Sequence, residues 1–174
     1  KRKGYLGLAT DEKEMEMMKS ALVEEDAMMA SDGIRFAYPT TVNWRNVGGV
    51  DWTTPIKDQK GCGSCAAFAT VAVVESNLEI FRRNPYLNPN LSEADIFFCG
   101  CGKCCAKGWN FPPALDYAKN KGIPDDACYP YLDKDQDCKP CPYRNNRVIK
   151  IHILRGFTTA SHAKESVYKQ VPCI

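Results

Sequence analysis

The residue types best suited to chemistry are grouped in the segment QKGCGSCAAF, residues 59–68. Cys62 and Cys65 stand three positions apart there, directly before an apolar run with helical spacing. A thiol reacts as its thiolate, and a helix N-terminus stabilises that anion through its dipole and free backbone N–H groups. Cys65 is predicted to occupy such a position. Gly63 would let another backbone come close, and Gln59 could donate a side-chain N–H to an oxyanion.

These cysteines are compatible with four roles. Cys65 could be a nucleophile or an inert structural thiol. Cys62 and Cys65 could form a redox-active pair, although that motif normally follows a strand and here follows a Pro- and Gly-rich segment. Two further CxxC pairs suggest zinc, although the gap between them exceeds the usual ~15 to 20 residues. The possible zinc ligands are Cys101, Cys104, Cys138 and Cys141.

Three predicted helices would position these residues. The run after Cys65 predicts a largely buried helix over residues 64–83. Six residues recur at helical spacing, and apolar residues cover much of the remaining surface. The six are Phe68, Val71, Ala72, Glu75, Leu78 and Phe81, and the others are Ala66, Ala67, Val73, Val74 and Ile80. A second helix is predicted after the capping residue Ser92 and reaches about Phe98. The segment FPPALDYAKNKG predicts a third, because Pro favours a first helical turn and Gly the position past the last turn.

Beyond these helices, the C-terminal part of the chain predicts a strand. The segment RVIKIHILRGF alternates, with Ile149, Ile151 and Ile153 on one face. Ser161 could cap a last short helix.

The N-terminal residues 1–36 differ from the rest in being rich in Met and free of Cys. Asp11 and Glu14 have the spacing of a capping box, which predicts a helix from about residue 11 to residue 29. This segment is interpreted either as a helix docked on the main domain or as a regulatory or inhibitory pro-segment.

Composition and charge exclude several classes of protein. The 174 residues suit one domain with or without a short appendage. The net charge of +2 lacks the basic excess of nucleic-acid-binding and membrane-surface proteins. No apolar run approaches the ~20 residues of a membrane helix. Ten cysteines indicate an oxidising compartment, whether secreted, periplasmic or lysosome-like, with metal binding as the alternative.

The segment around Cys65 resembles the active-site segment of the papain-like cysteine peptidases, whose local pattern is Cys-Gly-Ser/Ala-Cys-Trp/Tyr. Four more segments resemble that family in the same order along the chain. They are VNWRNVGGVDWTTPIKDQK, LSEADIFFC, CCAKGW and GIPDDACYPYLDKDQDC. The ordered matches cover about residues 40–141, so chance explains them poorly.

The resemblance implies roles for individual residues. It makes Cys65 the nucleophile and Gln59 the side-chain donor of the oxyanion hole, assisted by the backbone N–H of Cys65. It implies that a peptide or protein substrate is the partner, and it implies no cofactor and no metal. The implied substrate-groove positions are Gly63, Ser64, Lys107, Gly108 and Trp109. The implied disulfides join Cys62 to Cys105 and Cys99 to Cys138, with the pairing of the other cysteines left open.

The chain departs from the family pattern at three points. Ala66 replaces the usual aromatic residue after the nucleophile, and Lys107 replaces a glycine of the groove turn. The third departure is the missing base, because the family's His and Asn lie ~130 to 150 residues after the nucleophile and are expected beyond this chain. His152 and His162 are predicted to be exposed, and neither has the family's sequence context.

The sequence therefore predicts an α+β, papain-like cysteine proteinase fold, mainly the helical left lobe with the start of the β-barrel right lobe. Residues 1–36 are expected to be pro-segment-like, and residues 37–174 a peptidase domain truncated before the catalytic His. The predicted function is peptide-bond hydrolysis through an acyl-enzyme at Cys65, with this chain inactive unless a second chain or domain supplies His and Asn. The alternative is a cysteine-rich, non-catalytic binding module, with or without zinc.

Overall fold

The computed structural model describes residues 41–150 of the chain. This part contains four α-helices: α1 (Cys65–Arg82), α2 (Glu93–Gly100), α3 (Phe111–Lys121) and α4 (Arg144–Arg147). Short 3-10 turns lie at Trp44–Asn46 and Asp126–Cys128. The three helices predicted from the sequence are confirmed as α1, α2 and α3.

Other predictions concern residues that the structure does not describe. They are the N-terminal helix and pro-segment, the strand positions Ile151 and Ile153, the exposure of His152 and His162, the helix at Ser161, and the pairing of Cys173.

Local signals fix the ends of the helices. The Ser92 hydroxyl accepts a hydrogen bond from the Asp95 N–H at 3.0 Å, so Ser92 caps α2 as predicted. Pro112 and Pro113 lie in the first turn of α3. Gly122 ends that helix with a φ of 70°, which glycine adopts without a steric penalty. The sequence therefore predicted these boundaries from capping and turn chemistry.

The core forms where α1, α2 and α3 pack against one another. Apolar side chains from the three helices are buried there, each stabilising the fold by about 1.5–3 kcal/mol when it is large and fully enclosed. They include Val71, Val74, Ala94, Ile96, Phe97, Phe98, Ala114 and Ala118.

The prediction that α1 is largely buried is wrong at two of its periodic positions. Phe81 is 81% exposed, and Ala72 is exposed as well. α1 has 18 residues and is about 27 Å long, whereas α2 and α3 are about 12 and 16 Å long. The shorter helices cannot cover the whole of α1, so apolar residues at its C-terminal end and on its far side stay at the surface.

Polar groups on the buried side of α1 hold the segment that precedes it. The Glu75 carboxylate accepts hydrogen bonds from the Lys57 ammonium at 2.8 Å, the Thr54 hydroxyl at 2.7 Å and the Leu91 N–H at 2.7 Å. Lys57 also donates to Glu93 at 2.7 Å. Burial raises the pKa of Glu93, and the neighbouring ammonium of Lys57 opposes part of that shift. These contacts fix the approach of residues 54–57 to the middle of α1.

A second buried ion pair docks α4 on the helical core. Arg144 makes a bidentate contact with Asp95 of α2, at 2.7 Å from Nε and 2.6 Å from Nη2. The Tyr117 hydroxyl of α3 donates to the same carboxylate at 3.1 Å. Asp95 is fully buried, so loss of Arg144 would leave an uncompensated charge in the interior.

Little of the described part is extended structure. The predicted strand begins at Arg147, but Arg147 is the last residue of α4. Ile149 is the first residue to pair, in an isolated antiparallel bridge with Ile123. The side chain of Arg147 pairs with Asp125. The strand prediction is therefore wrong at Arg147.

Among the described helices, none combines the length and the apolar character needed to cross a membrane.

Candidate active site

Cys65 is the first residue of α1, as predicted. Its side chain is partly exposed, and its thiol is free, whereas the other described cysteines form disulfides. The pairs are Cys62–Cys105, Cys99–Cys138, Cys101–Cys104 and Cys128–Cys141. Both pairings that the resemblance implied are therefore present.

The disulfides contradict two of the alternative roles. Cys62 is bonded to Cys105, so it is not the redox partner of Cys65. The zinc alternative needs four thiolates, but Cys101 is bonded to Cys104, and the other two proposed ligands are bonded to cysteines outside that set. Within residues 41–150, no group of His, Cys, Asp and Glu is arranged to hold a metal ion.

The protonation of Cys65 differs from the expectation based on its helical position. Burial raises the pKa of the Cys65 thiol above its ordinary value, and hydrogen bonds from the backbone N–H groups of Ala66 and Cys65 offset only part of that shift. The helix start therefore favours the thiolate, but desolvation outweighs it.

The loop before Cys65 orients the side chain of Gln59. The Gln59 amide Nε2 donates to the Cys62 carbonyl at 3.0 Å, and the Ser64 N–H donates to the same oxygen at 2.8 Å. A primary amide carries two N–H donors, so this bond fixes the amide plane and leaves one donor for another acceptor. The amide of Gln59 is thereby tied to the loop that carries the free thiol.

Ser64 is fully buried, and its hydroxyl lies 2.7 Å from the hydroxyl of Tyr131. Tyr131 in turn donates to the Gln59 carbonyl at 3.0 Å. The sequence analysis missed Tyr131, although this residue belongs to the segment GIPDDACYPYL that carries part of the resemblance. No local pattern marks it, because its partners are 67 and 72 positions away in the chain.

A turn at residues 104–108 forms the wall next to this loop. The N–H groups of Lys107 and Gly108 donate to the Cys104 carbonyl at 3.0 and 2.8 Å, and the Gly63 N–H donates to the Cys105 carbonyl at 2.8 Å. A Cβ on Gly63 would lie 2.8 Å from that carbonyl oxygen and 3.0 Å from the Gly108 Cα. Gly63 therefore allows the close approach of this turn of the same chain.

The predicted groove residues of this wall differ in exposure. Lys107 is exposed, whereas Gly108 is buried and Trp109 is only 8% exposed. The Trp109 ring packs edge-on against Phe97, with 6.2 Å between centroids, and covers Gly100 of α2. The side chain of Trp109 thus joins the wall to the core, and Lys107 presents a charge at its surface.

Ala66, which replaces the family's aromatic residue, is fully enclosed.

The comparisons with known proteins agree with this geometry. The model of the papain family of cysteine proteases matches residues 38–173. Stem bromelain of Ananas comosus is 39% identical over 103 residues, covering 59% of this chain and 46% of bromelain. Cathepsin K of Gallus gallus is 36% identical over 110 residues, covering 60% and 30% respectively. The chain therefore spans less than half the length of these relatives.

Solved structures of the same family share the fold. The digestive procathepsin L2 proteinase of Tenebrio molitor larval midgut aligns with a TM-score of 0.54 and 27% identity, over 67% of this chain and 34% of that one. The proform of Amb a 11, a ragweed pollen allergen, aligns with a TM-score of 0.55 and 30% identity, over 69% and 34%. The helix-rich described part is consistent with the left lobe of an α+β papain fold. The chain belongs to the papain family of cysteine proteases.

Proposed function

We propose that the protein containing this chain hydrolyses peptide bonds with Cys65 as its nucleophile. The observation that carries the proposal is a free thiol at the start of α1, beside the oriented amide of Gln59, in a chain of the papain family. The Gln59 amide and the Cys65 N–H supply the oxyanion hole. Gly63, Ser64 and residues 107–109 form one wall of the substrate groove, with the exposed Lys107 at its surface. The hydrogen bond from the Gly63 N–H to the Cys105 carbonyl joins the loop to the turn that carries residues 107–109.

In the proposed reaction Cys65 is the nucleophile and Gln59 binds the oxyanion. An imidazole from outside the described residues takes the proton of the Cys65 thiol, and the sulfur attacks the carbonyl carbon. The resulting oxyanion is held by the two N–H donors. The amine leaves with a proton from an imidazolium partner, which produces a thioester on Cys65. Water then attacks the thioester, releasing the carboxylic acid and restoring the thiol.

This mechanism requires a base from outside the described residues. Residues 41–150 contain no histidine, and burial raises the pKa of Cys65 rather than lowering it. A protonated thiol at neutral pH is a poor nucleophile until an adjacent imidazole accepts its proton. The chain's two histidines, His152 and His162, lie outside the described residues and lack the family's sequence context. We therefore propose that this chain alone is inactive and that His and Asn are supplied by a second chain or domain.

The chemical test is the pH dependence of Cys65 alkylation by iodoacetamide, measured by mass spectrometry on the chain of 174 residues. We expect the rate to keep rising through the ordinary thiol pKa of ~8.5, because the raised pKa shifts the thiolate to higher pH. A peptidase assay on the same chain should give no turnover, with Cys65→Ala as the control. A rate plateau below pH 7 would contradict the raised pKa of Cys65. Robust Cys65-dependent turnover would contradict the expected inactivity of this chain alone, while supporting Cys65 as the nucleophile.

The proposed division places a pro-segment in residues 1–36 and the peptidase domain in residues 37–174. Two similar solved proteins are proforms or procathepsins, which supports this division. Proteolytic removal of residues 1–36 with an intact remainder would test it. The four disulfides fit an oxidising compartment, and we propose a secreted, periplasmic or lysosome-like location.

A further inference from the structure

We propose that Tyr131 is a positioning residue for the oxyanion hole, a role that rests on the proposed function of Cys65 and Gln59. Its hydroxyl contacts both ends of the loop that carries the site. It donates to the backbone carbonyl of Gln59 at 3.0 Å and lies 2.7 Å from the Ser64 hydroxyl. Gln59 contributes one oxyanion donor, and Ser64 directly precedes the residue that contributes the other.

The hydrogens in this contact can be assigned. Tyr131 has one hydroxyl hydrogen, and the Gln59 carbonyl can only accept, so that hydrogen goes to Gln59. Ser64 must then donate to the Tyr131 oxygen, a bond shorter than its 3.4 Å contact with the Cys62 carbonyl. The Tyr131 hydroxyl thus acts as donor toward one end of the loop and as acceptor toward the other.

The ring of Tyr131 holds this hydroxyl at a fixed point. It meets Phe68 of α1 edge-on, with 4.9 Å between centroids, and stacks on Phe98 of α2 at 6.1 Å and 23°. Because the ring packs against two helices, the hydroxyl restrains the position of the loop of residues 59–64 relative to those helices. The Gln59 amide is held at the other side of that loop by the Cys62 carbonyl.

This arrangement predicts a selective effect. Tyr131→Phe keeps the ring and removes the hydroxyl, so the Gln59 carbonyl and the Ser64 hydroxyl lose their shared partner. The distance between the two oxyanion donors then becomes variable. Reactions that develop an oxyanion should weaken, whereas alkylation of the sulfur, which forms no oxyanion, should not.

The test uses the whole chain and one assay with two readouts. Iodoacetamide gives the alkylation rate of Cys65, and protection by acetyl-Ala-Ala-glycinal gives the Kd of the thiohemiacetal, whose oxygen occupies the oxyanion hole. We expect Tyr131→Phe to raise that Kd about tenfold, the scale of one hydrogen bond, and to change the alkylation rate less than twofold. The matched control is Tyr129→Phe, which removes the hydroxyl that donates to the Asp137 carbonyl at 2.5 Å and should change both values less than twofold.

Each outcome decides between the hypotheses. A wild-type chain that binds no aldehyde shows that Gln59 and the Cys65 N–H form no oxyanion hole in this chain. That result overturns the positioning role of Tyr131, but it leaves Cys65 as the proposed nucleophile of the whole protein. A wild-type chain that binds the aldehyde, together with an unchanged Kd in Tyr131→Phe, overturns the positioning role alone. An equal loss of aldehyde binding and alkylation also overturns it, because that result indicates general loosening. If Tyr131→Phe does not fold, Ser64→Ala removes the contact with Ser64 while the Tyr131 hydroxyl still donates to the Gln59 backbone carbonyl. An unchanged Kd in that variant overturns the part of the role that runs through Ser64.

Discussion

Two stretches of this chain have the same cysteine spacing and a glycine at the same place, yet they have opposite outcomes. In Cys62-Gly-Ser-Cys65 the first cysteine bonds to the distant Cys105 and the last stays free. In the stretch from Cys101 to Cys104 the two cysteines bond to each other. The spacing of cysteines therefore does not determine their pairing.

The difference follows from where each stretch lies relative to a helix. The first precedes α1, and the hydrogen bond from Gly63 to the Cys105 carbonyl brings the Cα atoms of Cys62 and Cys105 within 4.3 Å. The second follows α2 and bends at Gly102, whose φ is 85°, so that its own cysteines meet with a Cα separation of 6.0 Å. The first stretch is stapled to another segment, and the second closes a local turn.

The two stretches are expected to differ most in how much their disulfides contribute to the free energy of unfolding. A disulfide stabilises mainly by restricting the unfolded chain, and the effect grows with the length of the closed loop. The sequence separation is 43 for Cys62–Cys105 and 3 for Cys101–Cys104. Replacing both cysteines of a pair by Ser should lower the free energy of unfolding by about 4 kcal/mol for the long loop and about 2 kcal/mol for the short one.

Urea unfolding monitored by circular dichroism measures both values. The Cys99/Cys138 pair, with a separation of 39, is a matched control that should resemble the long loop. Equal losses for the long-range and the local pair would show that loop length is not what separates the two stretches.

The two glycines provide the next comparison, because they are required for different reasons. Gly63→Ala places a Cβ against the backbone of the turn at residues 105–108, whose atoms lie at 2.8 and 3.0 Å and cannot rotate away. This overpacking should cost about 3 kcal/mol. Gly102→Ala meets nothing within 4 Å but keeps a positive φ, which should cost about 1 kcal/mol.

Thermal and urea unfolding of the two single variants check this order. Gly63→Ala should also change the environment of Cys65 and hence its alkylation rate, whereas Gly102→Ala should leave that rate unchanged. A larger loss for Gly102→Ala would mean that positive φ, rather than the contact with the turn, is the stronger constraint.

Features that depend on residues close together in the sequence were predictable, and features that depend on distant segments were not. Ser92, Pro112 and Gly122 act within one helical turn, and the helix ends that they predict are confirmed. The exposure of Phe81 depends on the lengths of the neighbouring helices, which the periodicity of α1 does not contain. The role of Tyr131 was equally hidden, because it joins segments that only the fold brings together.

The pKa of Cys65 shows a second limit, since it depends on a balance between opposing effects. Its position at the start of α1 was predictable, and the favourable backbone hydrogen bonds follow from that position. The degree of burial was not predictable, and it sets the direction of the shift. A local motif can therefore identify a candidate nucleophile without giving its protonation state.

The smallest expected effects concern the third positions of the two stretches, Ser64 and Lys103. Ser64→Ala removes a buried hydroxyl and leaves the Tyr131 oxygen without its donor, which should cost about 1–2 kcal/mol of unfolding free energy. Lys103 pairs with Asp137 at 3.0 Å, but their side chains are 67% and 58% exposed. Water and salt screen such a pair, so Lys103→Ala should leave the urea midpoint unchanged within error.

These two variants test the comparison because the third position is buried in the first stretch, as Ser64, and solvated in the second, as Lys103. Ser64→Ala should lose the same stability in 50 mM and 1 M NaCl, since a neutral buried hydrogen bond is not screened. Combined with Tyr131→Phe, it should cost less than the sum of the two single changes, because both remove one contact. Strict additivity of the two losses would show that the hydroxyls of Ser64 and Tyr131 do not depend on each other.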